Sequence, residues 1–191
     1  HAKKIANLYD IAMKMGAPVI GLIDCAGLRL QEATDALNAF GEVFMKQTLA
    51  SGVIPQITAI FGTCGGGAAL IPNLTDVTFM TKEGAKLFVN SPNALDENRA
   101  EKLDTAAADY VAENTANVDA VYDTEAELLG AVRTMVGLLP SNNEDDGDCA
   151  VCEDDVNRII PDLATKAGDV KAVIADITDD EFVFELKKNF A

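Results

Sequence analysis

Apolar residues recur at spacings of three and four between Lys3 and Met15, at Ile5, Leu8, Tyr9, Ala12 and Met15, which predicts one face of a helix stopped by Gly16 and Pro18. Val19, Ile20, Leu22 and Ile23 then form a nearly continuous apolar run ending at Asp24, the pattern of a strand covered on both faces. After the loop Cys25-Ala26-Gly27-Leu28-Arg29, a second amphipathic helix is expected, with Ala33, Ala36, Leu37, Phe40, Phe44 and Thr48 on its core side and Gly52 closing it. The stretch from Val53 to Phe61 reads as a second strand, with Ile57, Ala59 and Phe61 alternating, and Val77 to Met80 and Leu87 to Val89 read as further short strands. Helix and strand alternate from the start, which predicts an α/β domain whose strand-end loops carry function.

Beyond Pro92 the pattern softens, with helical character near Ala100 to Asn114 and a short apolar piece at Val118 to Tyr122. The next helix is clearer. Thr124 and Glu127 make a capping box, and Leu128, Leu129, Val132, Met135, Val136 and Leu139 form its expected core face up to Pro140. From Ser141 to Asp155 the composition turns to Asn, Glu, Asp and Gly, a solvated linker or subdomain boundary. Val170 to Ile177 reads as a short helix and Phe182 to Ala191 as the start of a strand.

The second strand breaks at Gly62 into Thr63, Cys64 and three consecutive glycines, and apolar residues resume at Ala68, Ala69, Leu70 and Ile71 before Pro72. This places Gly65 to Gly67 at the N-terminus of a brief helix, where backbone N–H groups lack intrahelical partners. Glycine permits positive φ and lets a ligand atom approach the main chain. Such a turn suits a phosphate, a carboxylate or an oxyanion that develops during acyl chemistry. It spells neither a P-loop nor G-x-G-x-x-G. Close helix-strand packing is the competing reason for the glycines.

Composition narrows the partners. At 191 residues and 49% hydrophobic the chain suffices for one core, and a formal charge of -16 argues against nucleic acid and anionic membrane surfaces. With no apolar run of membrane-spanning length and no signal-like start, neither membrane insertion nor export is expected, and the expected location is cytoplasmic. Cys25 and Cys64 each end a predicted strand and read as small packing residues rather than nucleophiles, since the sole histidine is His1 and no base stands beside them. Cys149 and Cys152 form a C-x-x-C in acidic surroundings with no second pair, which argues against zinc or redox work, and no metal site is expected.

Several stretches together resemble the N-terminal half of the biotin-dependent acyl-CoA carboxyltransferases, the family that includes propionyl-CoA carboxylase β subunits and the carboxyltransferase subunits of acyl-CoA decarboxylases. They are His1-Ala2-Lys3-Lys4, Gly16 to Leu22, Leu49 to Ile57, Gly62-Thr63-Cys64-Gly65-Gly66-Gly67-Ala68 and Leu74-Thr75-Asp76. The likeness returns at Leu138 to Asn143 and, more weakly, near Phe182 to Ala191. The resemblance implies a crotonase-like fold of strand-strand-helix units wound into a spiral. It implies a carboxyltransferase N-domain over residues 1–143, without its lead-in segment, and an acidic linker and the start of the C-terminal half over 144–191. It also implies an active site completed by the C-terminal half of a second subunit in a homo-oligomer. The substrate would be a coenzyme A thioester, and the cofactor biotin, held on a separate carboxyl carrier protein or domain.

Carried over residue by residue, the family's oxyanion glycines fall on Gly66 and Gly67, whose amides would stabilise a thioester enolate. Ala26, Gly27, Leu28, Arg29, Cys64, Gly65 and Ala68 fall on substrate-binding loops. In the family the proton is handled by biotin itself, which accords with the lack of a histidine or carboxylate pair here. Asp24, Gly27, Arg29, Gln31 and Glu32 match the family's loop, whereas Ala26 and Leu28 replace a glycine and an alanine and narrow any pocket they line. Arg29 is expected to fix its loop by pairing with Glu32 or Asp24, with a CoA phosphate as the other partner. Lys102 to Ala108 stands where the family carries Gly-Gly-Ala and Thr-His. Two other functions share the turn. One is a crotonase-type hydratase or isomerase, for which Glu32 is the nearby carboxylate; the other is a degenerate half that serves assembly. A domain cut from its other half is also expected to expose apolar surface and to self-associate.

Overall fold

The structure, a computed structural model, describes residues 1–94, 96, 101–146, 155 and 157–190. The paired cysteines Cys149 and Cys152 lie outside the described residues, as does the beginning of the helix expected from Ala100. The chain packs as two units, residues 1–147 with 187–191, and residues 148–186.

The first unit is built on a parallel sheet. Helix α1 (Ala2–Met15) leads to strand β1 (Val19–Cys25), helix α2 (Ala33–Ala50) to β2 (Gln56–Gly65), and short 3-10 turns to β3 (Val77–Thr81) and β4 (Lys86–Phe88). Helix α3 (Ala108–Asn114), strand β5 (Ala120–Tyr122) and helix α4 (Glu125–Leu138) complete it. The strands run in the order β1-β2-β3-β5, and β4 pairs with the far end of β2. Ten-residue β2 is therefore the central rod. Ile57 to Ile60 face Val77 to Met80 of β3, and Thr63, Cys64 and Gly65 face Lys86, Leu87 and Phe88 of β4.

The expected boundaries shift in physically informative ways. β2 runs through Gly65 rather than ending near Phe61, because β4 supplies hydrogen-bond partners to residues whose side chains alone would not hold a strand. β1 is an edge strand, and Ile20 and Leu22 are exposed, so the apolar run is covered on one face in this chain. Of the α1 face only Tyr9 is buried. Helix α2 is turned relative to its sequence pattern: Ala36, Val43, Gln47 and Ala50 are buried, while Leu37 is 61% exposed. Gln47 is held there by hydrogen bonds: its Nε2 donates to the Ile71 carbonyl (3.3 Å) and its backbone carbonyl accepts from Gln56 Nε2 (3.0 Å). In α4 the capping box of Thr124 and Glu127 is present, and Leu128, Ala131, Val132 and Met135 are buried, with Leu129 turned outward.

One device recurs between strands. Asp76, just before β3, accepts from the Gln56 amide at the start of β2 (2.8 Å). Asp119, just before β5, accepts from the Thr78 amide of β3 (2.7 Å) and pairs with Lys187 (2.7 Å). Each carboxylate fixes the register of the strand that neighbours its own in the sheet. Asp119 is 8% exposed, so Asp119→Ala leaves a buried N–H without its acceptor, and we expect a loss of about 1–3 kcal/mol in urea unfolding. An unchanged midpoint would show that the Thr78 amide finds another partner.

In the second unit, helix α5 (Val170–Ile177) is capped by Asp169, whose side chain accepts from the Ala172 amide. Arg158 Nη2 donates to the carbonyls of Asp176 (2.7 Å) and Thr178 (2.9 Å), which fastens the end of α5 to the incoming chain. Residues 182–190 form no strand, contrary to the sequence expectation. They carry only a few successive apolar side chains and have no neighbouring strand to supply a ladder.

Candidate functional site

The glycine turn sits where β2 ends. Gly65 is the last residue of the strand and the N-cap of a five-residue 3-10 helix, Gly66–Leu70. The helix is tighter and shorter than an α-helix, so its macrodipole is small; its i→i−3 pattern engages the Ala68 amide and leaves those of Gly66 and Gly67 without a partner within it. The Cys64 thiol donates to the Ala68 carbonyl (3.3 Å), tying the start of the turn to its end.

The three glycines are there for different reasons. Gly66 has φ +61°, and apart from its chain neighbours and the turn's own backbone no atom lies within 4 Å of where its Cβ would be, so its Cα face is open. A Cβ on Gly65 would meet the Phe88 ring at 2.8 Å and the Ala26 carbonyl oxygen at 3.1 Å. A Cβ on Gly67 would meet the Phe40 ring at 3.1 Å. Thus Gly65 and Gly67 are glycines because aromatic rings occupy their side-chain space, and Gly66 is a glycine because of its conformation. Gly62 is a fourth case: the Asp24 carboxylate lies over its Cα and accepts from the Thr63 amide (3.0 Å).

The loop Ala26-Gly27-Leu28-Arg29 meets this turn. Cys25 is the register partner of Cys64, and Gly27 (φ +123°) lies against the Gly65 carbonyl. Cys64, Gly65, Gly66, Gly67, Ala68, Ala26 and Gly27 therefore share one neighbourhood. Arg29 is largely exposed and pairs with Glu32 (3.2 Å), one of the two partners expected from the sequence. That exposed pair adds little stability, about 0–1 kcal/mol. Leu28 is half-buried in the same loop, and the structure records no polar partner for it.

Two features were not legible in the sequence. Phe88 and Phe40 bracket the turn, and no periodicity places a β4 residue against a β2 glycine. The segment around Lys102 to Ala107 runs beside β4, with Leu87 N–H donating to the Ala106 carbonyl (3.0 Å) and Lys86 pairing with Asp104 (2.5 Å). The Lys86 ammonium, by its hydrogen bond, holds the Asp104 carboxyl below the usual carboxylate range. Phe88, Lys86, Lys102, Leu103 and Asp104 line an open depression of about 490 Å³ next to the turn.

The titratable groups nearest the turn are engaged or silenced. Asp24 holds the Thr63 amide, Lys86 holds Asp104, and burial, helped by Cys25, pushes the Cys64 thiol up to about 12. Because the folded state favours the neutral thiol, its contribution to stability is complete below the ordinary thiol value of 9.0 and is lost as pH rises toward about 12. We expect wild-type stability to fall more steeply than that of Cys64→Ala across this alkaline window, and Cys64 to resist alkylation in the native protein at neutral pH. Equal slopes, or rapid native labelling of Cys64, would contradict the burial. Among the described residues no group of three or more His, Cys, Asp or Glu side chains is placed to hold a metal, and no helix is long and apolar enough to cross a membrane.

Comparison with known proteins gives one consistent result. The carboxyl transferase domain family matches residues 1–191. The chain is 38% identical to methylmalonyl-CoA decarboxylase subunit alpha of Veillonella parvula and 37% identical to a propionyl-CoA carboxylase beta chain of Roseobacter denitrificans. In both cases all of this chain aligns, with 40% and 39% of the relative, so the chain spans about two fifths of their length. Among solved structures, transcarboxylase 12S, described as a hexamer assembly with hydrolysed methylmalonyl-coenzyme A bound, superposes with a TM-score of 0.89 at 27% identity. That alignment covers all of this chain and 38% of the other. The parallel sheet and its helices are thus of the crotonase-like kind implied by the sequence.

Proposed function

The chain belongs to the carboxyl transferase domain family, and from that premise we propose that it is the thioester-holding half of a biotin-dependent carboxyltransferase acting on a short-chain acyl-CoA. The observation that carries this reading is the turn at Gly66, open at Cα, held in a left-handed conformation and anchored on both sides by packed glycines. Such a turn presents backbone amides to an oxygen that approaches closely.

When the bond between the α-carbon and its carboxylate breaks, the electron pair moves onto the α-carbon and the thioester carbonyl, and negative charge grows on the carbonyl oxygen. The amides of Gly66 and Gly67 are assigned to that oxygen. Preorganised donors of this type are each worth roughly 2.7–4 kcal/mol in the transition state. The residues fit a biotin partner in one specific respect: Asp24, Lys86 and Cys64 are each occupied or neutral, so the turn holds charge without offering a proton-transfer group of its own. Biotin on a carrier protein or domain would supply the acceptor for the carboxyl group. Arg29 fixes its loop through Glu32, and a CoA phosphate would be its alternative partner. The C-terminal half of a second subunit would complete the site in an oligomer.

The test uses the full-length protein with malonyl-CoA and methylmalonyl-CoA, with and without free biotin, following loss of the carboxylated thioester. Biotin-dependent loss is expected, and the faster substrate names the acyl chain. Binding without biotin-dependent loss would point to a crotonase-type reaction, and neither binding nor loss to an assembly role.

A further inference from the structure

Two aromatic rings from separate elements pack on the turn, one against Gly65 and one against Gly67. Phe88 comes from β4, whose pairing with β2 runs to the last residue of the strand, Gly65 opposite Phe88. Phe40 comes from α2 and is stacked on Phe44 with ring centroids 5.8 Å apart. Both rings are half-buried, and they fill the volumes that side chains at 65 and 67 would take. Gly66 between them has no neighbour in its own side-chain space. No side chain packs against the Gly66 side-chain space, so beyond its own backbone bonds and the Cys64–Ala68 tie the turn is held by side chains only at its flanks.

We infer that Phe88 and Phe40 are positioning residues that clamp the glycine turn at Gly65 and Gly67 and fix where the Gly66 and Gly67 amides lie. The inference deepens the proposed carboxyltransferase reading and rests on it for its kinetic consequence, but the clamp itself is a property of the turn. A displaced donor weakens an interaction made in the transition state, and misplacement by about 1 Å costs on the order of 10²-fold in rate. The loss falls on kcat, with KM nearly held, because substrate binding away from the reacting carbonyl is untouched.

The experiment uses the full-length protein and the variants Phe88→Ala, Phe88→Leu and Phe40→Ala. Amide hydrogen exchange at residues 66 and 67 is read against exchange in β3, alongside kcat, KM and melting temperature. Phe88→Ala is expected to speed exchange at the turn selectively and to lower kcat about 10- to 100-fold at nearly constant KM. Phe88→Leu, which keeps an apolar filler against Gly65, is expected to recover most of that loss. Combined with Gly66→Asn, Phe88→Ala is expected to add little further loss, since both act through the same amides. Fully additive effects, or a lowered melting temperature with unchanged kcat and unchanged turn exchange, would overturn the inference. If Phe88→Ala does not fold, Phe40→Ala answers the same question at Gly67. If the wild-type protein turns over neither thioester, the carboxyltransferase reading fails, and exchange at the turn still decides the clamp: selective acceleration upholds it and none rejects it.

Discussion

Gly66→Asn in the full-length protein is expected to lower kcat for biotin-dependent loss of the carboxylated thioester by about 10²- to 10³-fold while leaving the melting temperature nearly unchanged. The two halves of that expectation come from different observations. Asparagine is among the few non-glycine residues that accept a left-handed backbone, so φ +61° is retained at small cost. Beyond the adjoining chain nothing lies within 4 Å of a Cβ built there, so the new side chain starts into open space. It then occupies the volume through which the thioester oxygen approaches. Gly66→Ala is the milder control, with a conformational cost of about 1–2 kcal/mol and less obstruction. Wild-type kcat in a folded Gly66→Asn protein would remove Gly66 from the reaction and return the turn to a packing role.

Phe79→Ala is expected to cost the 191-residue chain about 3–5 kcal/mol, more than any surface change. Phe79 is fully buried in β3, faces Ala59 of β2 and Ala120 of β5, and meets the Tyr122 ring edge-on at 5.7 Å. Its neighbours across the strands are alanines, too short to collapse into the space the ring leaves, so the cavity term adds to the lost burial. Urea unfolding is expected to show a midpoint lower by more than about 1 M. Leu37→Ala is the matched comparison. The sequence pattern puts Leu37 on the core face of α2, whereas the structure exposes it by 61%, so its loss is expected to stay within about 0.5 kcal/mol. A Leu37→Ala effect as large as that of Phe79→Ala would show that α2 sits as its periodicity suggested.

The contrast between these two side chains marks how far the sequence reaches. The strand ending in a glycine turn, the capping box of Thr124 and Glu127, the stop after Met15 and the pairing of Arg29 with Glu32 are all written locally, because each depends on residues within a few positions of one another. The carboxyltransferase likeness was legible for the same reason, since the residues that carry it lie in short contiguous motifs around such turns.

What the sequence did not settle are the matters decided by distant chain. The burial of Gln47 in place of Leu37 follows from the Ile71 carbonyl and the Gln56 side chain, both brought to α2 by the sheet. The outward position of Ile20 and Leu22 follows from which face of β1 the rest of the chain packs against, which the apolar run itself does not encode. The glycine triplet shows the division most sharply. Its sequence predicts a turn with room for a ligand, yet three identical residues cannot reveal that two face rings and one faces open space. That assignment needed β4 to pair with the end of β2 and α2 to cross over it, because side-chain volume is shared between elements and no single segment encodes it.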